Sequence, residues 1–113
     1  MEVKINVEKE FERQLRKLIK KYRSIIDDYD TFLNELEKDP YQGNSLGRGV
    51  RKVRMAIASK GKGKRGGARV ITYNLYQEED VIVIDLLTIY DKNEISNISD
   101  EFITYLLNER KNI

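Results

Sequence analysis

The chain has 113 residues, with 21 Lys and Arg against 19 Asp and Glu, and it contains neither Cys nor His. This length predicts a single domain over residues 1–113 with a small hydrophobic core. The composition excludes disulfides, catalytic centres built on Cys or His, and zinc sites that use those ligands, so any proton chemistry must use Lys, Arg, Tyr, Asp or Glu.

The N-terminal part predicts one strand followed by a helical hairpin. Val3, Ile5 and Val7 alternate with charged or polar residues, which indicates a short strand. Apolar residues then recur at helical spacing from Glu8 and again from about residue 24. Pro40 ends the second run, because the residue before a proline avoids helical angles.

The remainder predicts three strands and a final helix. After the turn region QGNSLGRG, the segment VRKVRMAI alternates apolar residues with Lys52 and Arg54, as a half-buried strand would. ARVITYNLY and VIVIDLLTIY form a hairpin joined by QEED, and the second is apolar enough on both faces to be a central strand. DKNEISNIS is a loop, and Ser99 caps the last helix.

These elements predict an α+β fold in the order β-α-α-β-β-β-α, with a mainly antiparallel sheet packed on the N-terminal helical hairpin. We expect the helices to cover one face of the sheet and the basic strand positions to lie on the other. The most apolar run, VIVIDLLTIY, has ten residues and contains Asp85, so we expect no membrane association and a cytoplasmic location.

Charge is distributed unevenly along the chain. Residues 40–77 contain no Asp or Glu, while 12 basic and 19 acidic residues lie elsewhere. The nine basic residues of this segment are Arg48, Arg51, Lys52, Arg54, Lys60, Lys62, Lys64, Arg65 and Arg69. Such segregation favours a polyanionic partner, the alternative being a solvated loop without a ligand.

Gly61, Gly63 and Gly66 have the spacing of the dinucleotide-binding motif G-x-G-x-x-G. That motif places a pyrophosphate at a helix N-terminus, whereas a β-branched and aromatic strand follows these glycines. We therefore reject a nucleotide cofactor and expect no small-molecule cofactor. The glycines predict instead a loop that approaches a ligand closely, with its cations reaching separate phosphates.

The succession GRGVRKVRMAI, KGKGKRGGARVITYNLY, VIVIDLLTIYDKNE and a short terminal helix resembles the RelE/ParE superfamily of bacterial toxins, in particular its HigB-like branch. The resemblance covers nearly the whole chain, and the order of GKGKRGGAR and YDKNE is its most specific feature. It implies the toxin of a type II toxin-antitoxin system, with a helix-turn-helix antitoxin as partner. It also implies a ribosome-dependent endoribonuclease that cuts mRNA, with the ribosome and mRNA as further partners.

Cleavage of RNA by its own 2′-hydroxyl requires charge relief on the phosphate, a proton acceptor and a proton donor, but neither His nor a metal. Arg69 is the first choice for the phosphate and Arg54 the second, because a guanidinium is a planar, permanently charged donor. Lys92 is the candidate general acid, or the base if its pKa is depressed, and Glu94 accepts the 2′-proton or orients Lys92. Tyr90 stacks on a base or hydrogen-bonds the phosphate.

Lys64 is near enough to Arg69 in sequence to assist the chemistry. The residues predicted to hold the RNA backbone are Lys60, Lys62, Arg65, Arg51, Lys52 and Arg48. Structural alternatives stay open: Arg69 paired with a carboxylate, Tyr90 in the core on the face of Leu86, and DKNE as a polar helix-entry loop.

Three functions compete. The ribosome-dependent mRNA endonuclease leads, because the cationic loop occurs together with Lys92 and Glu94. The alternatives are a ParE-like inhibitor of DNA gyrase, which binds without cutting RNA, and a non-catalytic RNA-binding domain.

Overall fold

The computed structural model describes residues 1–77, 79–95 and 97–111, apart from the side chain of Gln77. Its elements, in chain order, are β1 (Glu2–Val7), α1 (Lys9–Lys21), α2 (Ile25–Lys38), β2 (Asn44–Gly47), β3 (Val50–Met55), a 3-10 turn (Ala58–Lys60), β4 (Ala68–Gln77), β5 (Val81–Asp91) and α3 (Asp100–Asn108). The predicted α+β class is confirmed. Glu78 of the predicted QEED connection, Ser96 of the predicted DKNEISNIS loop and residues 112–113 lie outside the described part.

None of the helices in that part is long and apolar enough to cross a membrane.

The structure adds one strand to the predicted order. QGNSLGRG, predicted as a turn, contains β2, which pairs antiparallel with β3. Arg48 and Gly49 connect the two strands, and both have positive φ angles, 58° and 78°. Two successive residues with positive φ angles form the tight two-residue hairpin turn whose twist matches that of the strands it joins. The prediction of a simple turn here was therefore wrong.

In the described part of the chain, the strands form one mixed sheet of five strands in the order β1-β5-β4-β3-β2. β1 runs parallel to β5, with Val3 opposite Ile82 and Ile5 opposite Ile84. The other three pairings are antiparallel, as predicted for most of the sheet. β5 lies between β1 and β4, which agrees with its apolar residues on both faces.

Helices pack on both faces of this sheet. Phe11 of α1 and Phe32 of α2 belong to the core on one face, here called the α1/α2 face. Ile103 and Leu106 of α3 are buried with Leu87 of β5 on the opposite face, here called the α3 face. The expectation that all helices cover one face was wrong, because the second face also carries apolar residues that must be buried.

A bulge in β5 decides which face each of its last residues occupies. Thr72 of β4 pairs with Leu86, but the residue before it pairs with Thr88, so Leu87 is an extra residue in the ladder. Leu86 packs on the α1/α2 face, whereas Leu87 and Tyr90 pack on the α3 face. The expectation that Tyr90 shares a face with Leu86 was wrong, because one extra residue reverses the alternation beyond it.

Replacing Gly67 tests the close approach between the end of β3 and the start of β4. A Cβ atom on Gly67 would lie 2.2 Å from the carbonyl oxygen of Met55 and 2.9 Å from the amide nitrogen of Ile57. Because both are backbone atoms, we expect Gly67→Ala to lower the free energy of unfolding by about 2 kcal/mol or more in urea denaturation.

Gly63→Ala is the matched control for this prediction. A Cβ atom there would meet nothing within 4 Å, and its only cost is the positive φ of 61°. We expect that cost to be about 1 kcal/mol. Equal losses in the two variants would contradict the close approach at Gly67.

Candidate nucleic-acid interface

Three residues predicted to act on the phosphate lie in one row across the sheet. Arg69 of β4 is opposite Arg54 of β3 on one side and Tyr90 of β5 on the other. Val53 and Met55, which flank Arg54, pack on the α1/α2 face, so the row lies on the α3 face. Of the three, Arg54 is exposed, whereas Arg69 and Tyr90 are each only 7% exposed. Tyr90 belongs to the buried core of the α3 face, as the core alternative for this residue predicted.

Arg69 holds the glycine-rich loop, residues 61–67. Its side chain is buried, with a relative exposure of 7% for the residue. Nη1 donates to the carbonyls of Lys64 and Ala68, and Nη2 donates to the carbonyl of Arg65, each at 3.1 Å. Burial and the nearby charge of Arg54 lower the pKa of Arg69. Arg69 therefore positions the loop backbone, and its positive charge is stabilised by carbonyl dipoles but not neutralised by a carboxylate among the described residues.

Arg54 is the exposed member of the row. Within the described part of the chain, neither Arg54 nor Arg69 forms a salt bridge with an Asp or Glu. Two adjacent guanidinium groups repel each other, and a bound anion would relieve that repulsion. The pair is thus a preformed site of positive potential.

A cleft of about 370 Å³ adjoins Arg54 where the edge of β3 extends past β2. Lys52 of β3 and Lys64 of the loop also line it. Lys64 forms an ion pair with Glu35 of α2, with 2.9 Å between Nζ and Oε2, and both side chains are partly exposed. Exposed pairs of this kind contribute little free energy, so a phosphate can replace Glu35 as the partner of Lys64.

The other cations of the basic segment divide into two groups. Lys62 and Arg65 are exposed loop residues and form no salt bridge with any described residue. Arg48 donates to the hydroxyl of Thr104 in α3, and Arg51 donates to the carbonyl of Gly43. The predicted RNA contacts thus fit the geometry of Lys62 and Arg65 best, while Arg48 and Arg51 contact the protein itself.

Lys60 was predicted to contact the RNA backbone, but in the structure its side chain pairs with Asp91. Its Nζ lies 2.9 Å from Oδ1 of Asp91, and only 7% of its side chain is exposed. Asp91 is fully buried and also accepts hydrogen bonds from the hydroxyl of Tyr22 and the amide of Asn93. Burial raises the pKa of Asp91, but the hydrogen bonds from Tyr22, Lys60 and Asn93 outweigh burial and lower it to about 2.

The YDKNE turn meets the loop through its backbone. The amide of Lys92 donates to the carbonyl of Gly67 at 3.1 Å, and the side chain of Lys92 is exposed. Glu94, predicted to serve as base or to orient Lys92, contacts Lys21 of α1, with 3.2 Å between Oε1 and Nζ. The structure therefore brings Lys92 to the loop but places the carboxylate of Glu94 beside α1.

A second buried carboxylate was not singled out from the sequence. Asp85 is fully buried on the α3 face of β5, and its Oδ2 accepts a hydrogen bond of 2.6 Å from Nε of Arg110. The guanidinium of Arg110 also lies 4.7 Å from the ring centre of Tyr73. Burial raises the pKa of Asp85, and Arg110 and the amide of Asn6 oppose that rise. An Asp inside an apolar strand was the available signal for this ion pair, which anchors the segment after α3.

The pKa of Asp91 predicts how stability depends on pH. The value of about 2 in the folded chain is below the usual 3.8, so Asp91 stabilises the fold above about pH 4, and this contribution is lost as the pH falls towards 2. A shift of this size corresponds to about 2 kcal/mol. We expect the wild type to lose about that much more free energy of unfolding than Asp91→Asn between about pH 6 and pH 2, measured in urea. Parallel pH curves would contradict this.

The geometry brings Arg54, Arg69 and Tyr90 together with Lys92 on the adjoining turn. No protein-family model matches the chain. The resemblance to RelE/ParE toxins therefore stays a prediction from residue motifs, and function must be argued from the chemistry of this surface.

Proposed function

We propose that the chain binds RNA through the surface formed by Arg54, Arg69, the cationic loop and Lys92, and that it cuts mRNA on the ribosome as the toxin of a type II toxin-antitoxin system. One observation carries the proposal: Arg54 and Arg69 are neighbours on adjacent strands, and neither has a carboxylate partner among the described residues. An anionic chain supplies the missing charge.

The exposed cations suit backbone recognition. Lys62, Arg65 and Lys92 are exposed at the end of the sheet where Arg54 lies. Contacts from such side chains go mainly to phosphates, so we expect binding to weaken steeply with salt and to discriminate poorly between sequences. The A site of the ribosome would then supply the position of the cut.

The proposed chemistry uses the same row. Arg54 is exposed and contacts the scissile phosphate, while buried Arg69 holds the loop and adds positive potential. Tyr90 is buried in the core of the α3 face, and this burial raises its pKa, so we assign it to packing beside Arg69 rather than to contact with the phosphate. Glu94, once released from Lys21, accepts the proton of the attacking 2′-hydroxyl as the new bond to phosphorus forms, and Lys92 protonates the 5′-oxygen as its bond to phosphorus breaks. This assignment reverses the order of Arg69 and Arg54 that the sequence favoured.

A second candidate is RNA binding without cleavage. The contact between Glu94 and Lys21 favours it, because that contact holds the only carboxylate of the proposed acid and base set beside α1. The pair is exposed, and a modest rearrangement would release Glu94, so the geometry is compatible with both functions. With the toxin function we also propose that the fold is RelE-like and that the partner is a helix-turn-helix antitoxin.

RNA binding is tested with a fluorescently labelled single-stranded RNA of about 20 nucleotides and the purified chain. We expect Arg54→Gln to weaken binding about tenfold at low salt, because a charged hydrogen bond to phosphate is lost. The slope of log affinity against log salt should also fall by about 0.7, the value for one lost phosphate contact. Arg16→Gln is the control, since Arg16 is an exposed Arg of α1 and the change removes the same charge. Equal effects of the two variants would contradict a localised site.

Cleavage is tested in cells under tight expression control by mapping mRNA 5′ ends on translating ribosomes. We expect translation-dependent cuts with the wild type and with Arg16→Gln, and none with the double variant Arg54→Gln/Lys92→Ala. RNA binding without cuts would support the non-catalytic candidate. Intact mRNA together with induction of the DNA-damage response would instead indicate inhibition of gyrase.

A further inference from the structure

The side chain of Asp91 connects the two segments that carry the exposed cations. Its Oδ1 accepts from Nζ of Lys60 and from the amide of Asn93, and its Oδ2 accepts from the hydroxyl of Tyr22. Lys60 precedes the glycine-rich loop, Asn93 follows Lys92 in the YDKNE turn, and Tyr22 ends α1. One carboxylate therefore links the loop and the turn to the same helix end.

The loop depends on its ends for its position. Gly61 and Gly63 have positive φ angles of 71° and 61°, and a Cβ atom on either would meet nothing within 4 Å. Packing therefore does little to hold this part of the loop. Its far end is held by Arg69, which binds the carbonyls of Lys64 and Arg65. Its near end follows Lys60, whose side chain pairs with Asp91.

We infer that Asp91 is a positioning residue for RNA binding: by holding Lys60 and the Asn93 amide together, it sets the distance between the loop cations and Lys92. This inference rests on the RNA-binding surface proposed above. Cations held at fixed spacing lose less conformational entropy when they bind a polyanion, so positioning raises affinity without any contact between Asp91 and the ligand. If Lys60 moved away to bind RNA, the buried carboxylate of Asp91 would lose one of its partners.

Neighbouring groups also hold this region. The amide of Ala58 donates to Asp28 and the amide of Ser59 donates to Ser24, so the 3-10 turn is anchored to α2 independently of Asp91. Lys21 lies between two carboxylates, 3.6 Å from Asp91 and 3.2 Å from Glu94. Loss of Asp91 should therefore leave the 3-10 turn in place, and the position of Lys92 relative to the loop would then depend on the hydrogen bond from the amide of Lys92 to the carbonyl of Gly67.

The chain supplies a matched control in Asp85. It is as fully buried as Asp91, lies on the same strand and forms an ion pair with Arg110, but it is on the α3 face near the middle of β5, six residues before Asp91. Asp85→Asn thus reproduces the loss of a buried, paired carboxylate without touching the proposed link.

The test is a double-mutant cycle in RNA affinity, measured with the full chain and the same labelled RNA. Alone, Lys92→Ala should weaken binding about tenfold. In the Asp91→Asn background the same change should cost less than about threefold, because Lys92 is no longer held near the loop. In the Asp85→Asn background it should still cost about tenfold. Equal costs of Lys92→Ala in all three backgrounds would overturn the inference.

Two further measurements keep the outcome decisive. If Asp91→Asn does not fold, Lys60→Gln replaces it, with Lys60→Arg as the conservative variant expected to restore the coupling to Lys92. If the wild type does not bind RNA, the proposed function fails, and amide hydrogen exchange then tests the link by itself. The amide of Lys92, which donates to the carbonyl of Gly67, should exchange at least about tenfold faster in Asp91→Asn than in Asp85→Asn, because separation of the turn from the loop becomes easier. Equal rates would sink the inference.

Discussion

A buried, ionised carboxylate has no contact with water, so the protein must supply its hydrogen bonds and its counter-charge. Asp91 is such a group. Tyr22, Lys60 and Asn93 supply its hydrogen bonds, so the end of α1, the start of the glycine-rich loop and the turn after β5 meet at one point. The cationic surface is built around this point. The start of the loop cannot shift there without breaking a buried ion pair, and Arg69 holds the far end, so a loop rich in glycine has a defined position.

The surface is positive because few carboxylates form salt bridges with the cations of the basic segment. Among the described residues, salt bridges take up only Lys60 and Lys64 of its nine cations. Arg69 uses backbone carbonyls instead, which fixes its guanidinium and leaves its charge uncompensated beside Arg54. The same residue thereby shapes the loop and strengthens the field at the end of the sheet.

Periodicity predicted much of the fold, including both N-terminal helices, the antiparallel strands and the cap at Ser99, whose Oγ accepts from the amide of Phe102. It failed where a residue's place depends on a partner strand. β2 exists because Arg48 and Gly49 turn the chain back on β3, and the bulge at Leu87 follows from pairing with β4. The bulge then decides that Tyr90 lies beside Arg69, which alternation along one strand cannot show.

The sequence by itself determined the class of fold, the acid-free basic segment and, because Cys and His are absent, the set of residue types open to chemistry. Local periodicity and composition suffice for these, since they depend on neighbours along the chain. Tertiary structure decided which cations are available: it buried Lys60 on Asp91, tied Arg69 to the loop carbonyls and left Arg54 exposed. Pairing between charges 31 residues apart, as for Lys60 and Asp91, depends on which strands and helices meet, and no local pattern encodes it.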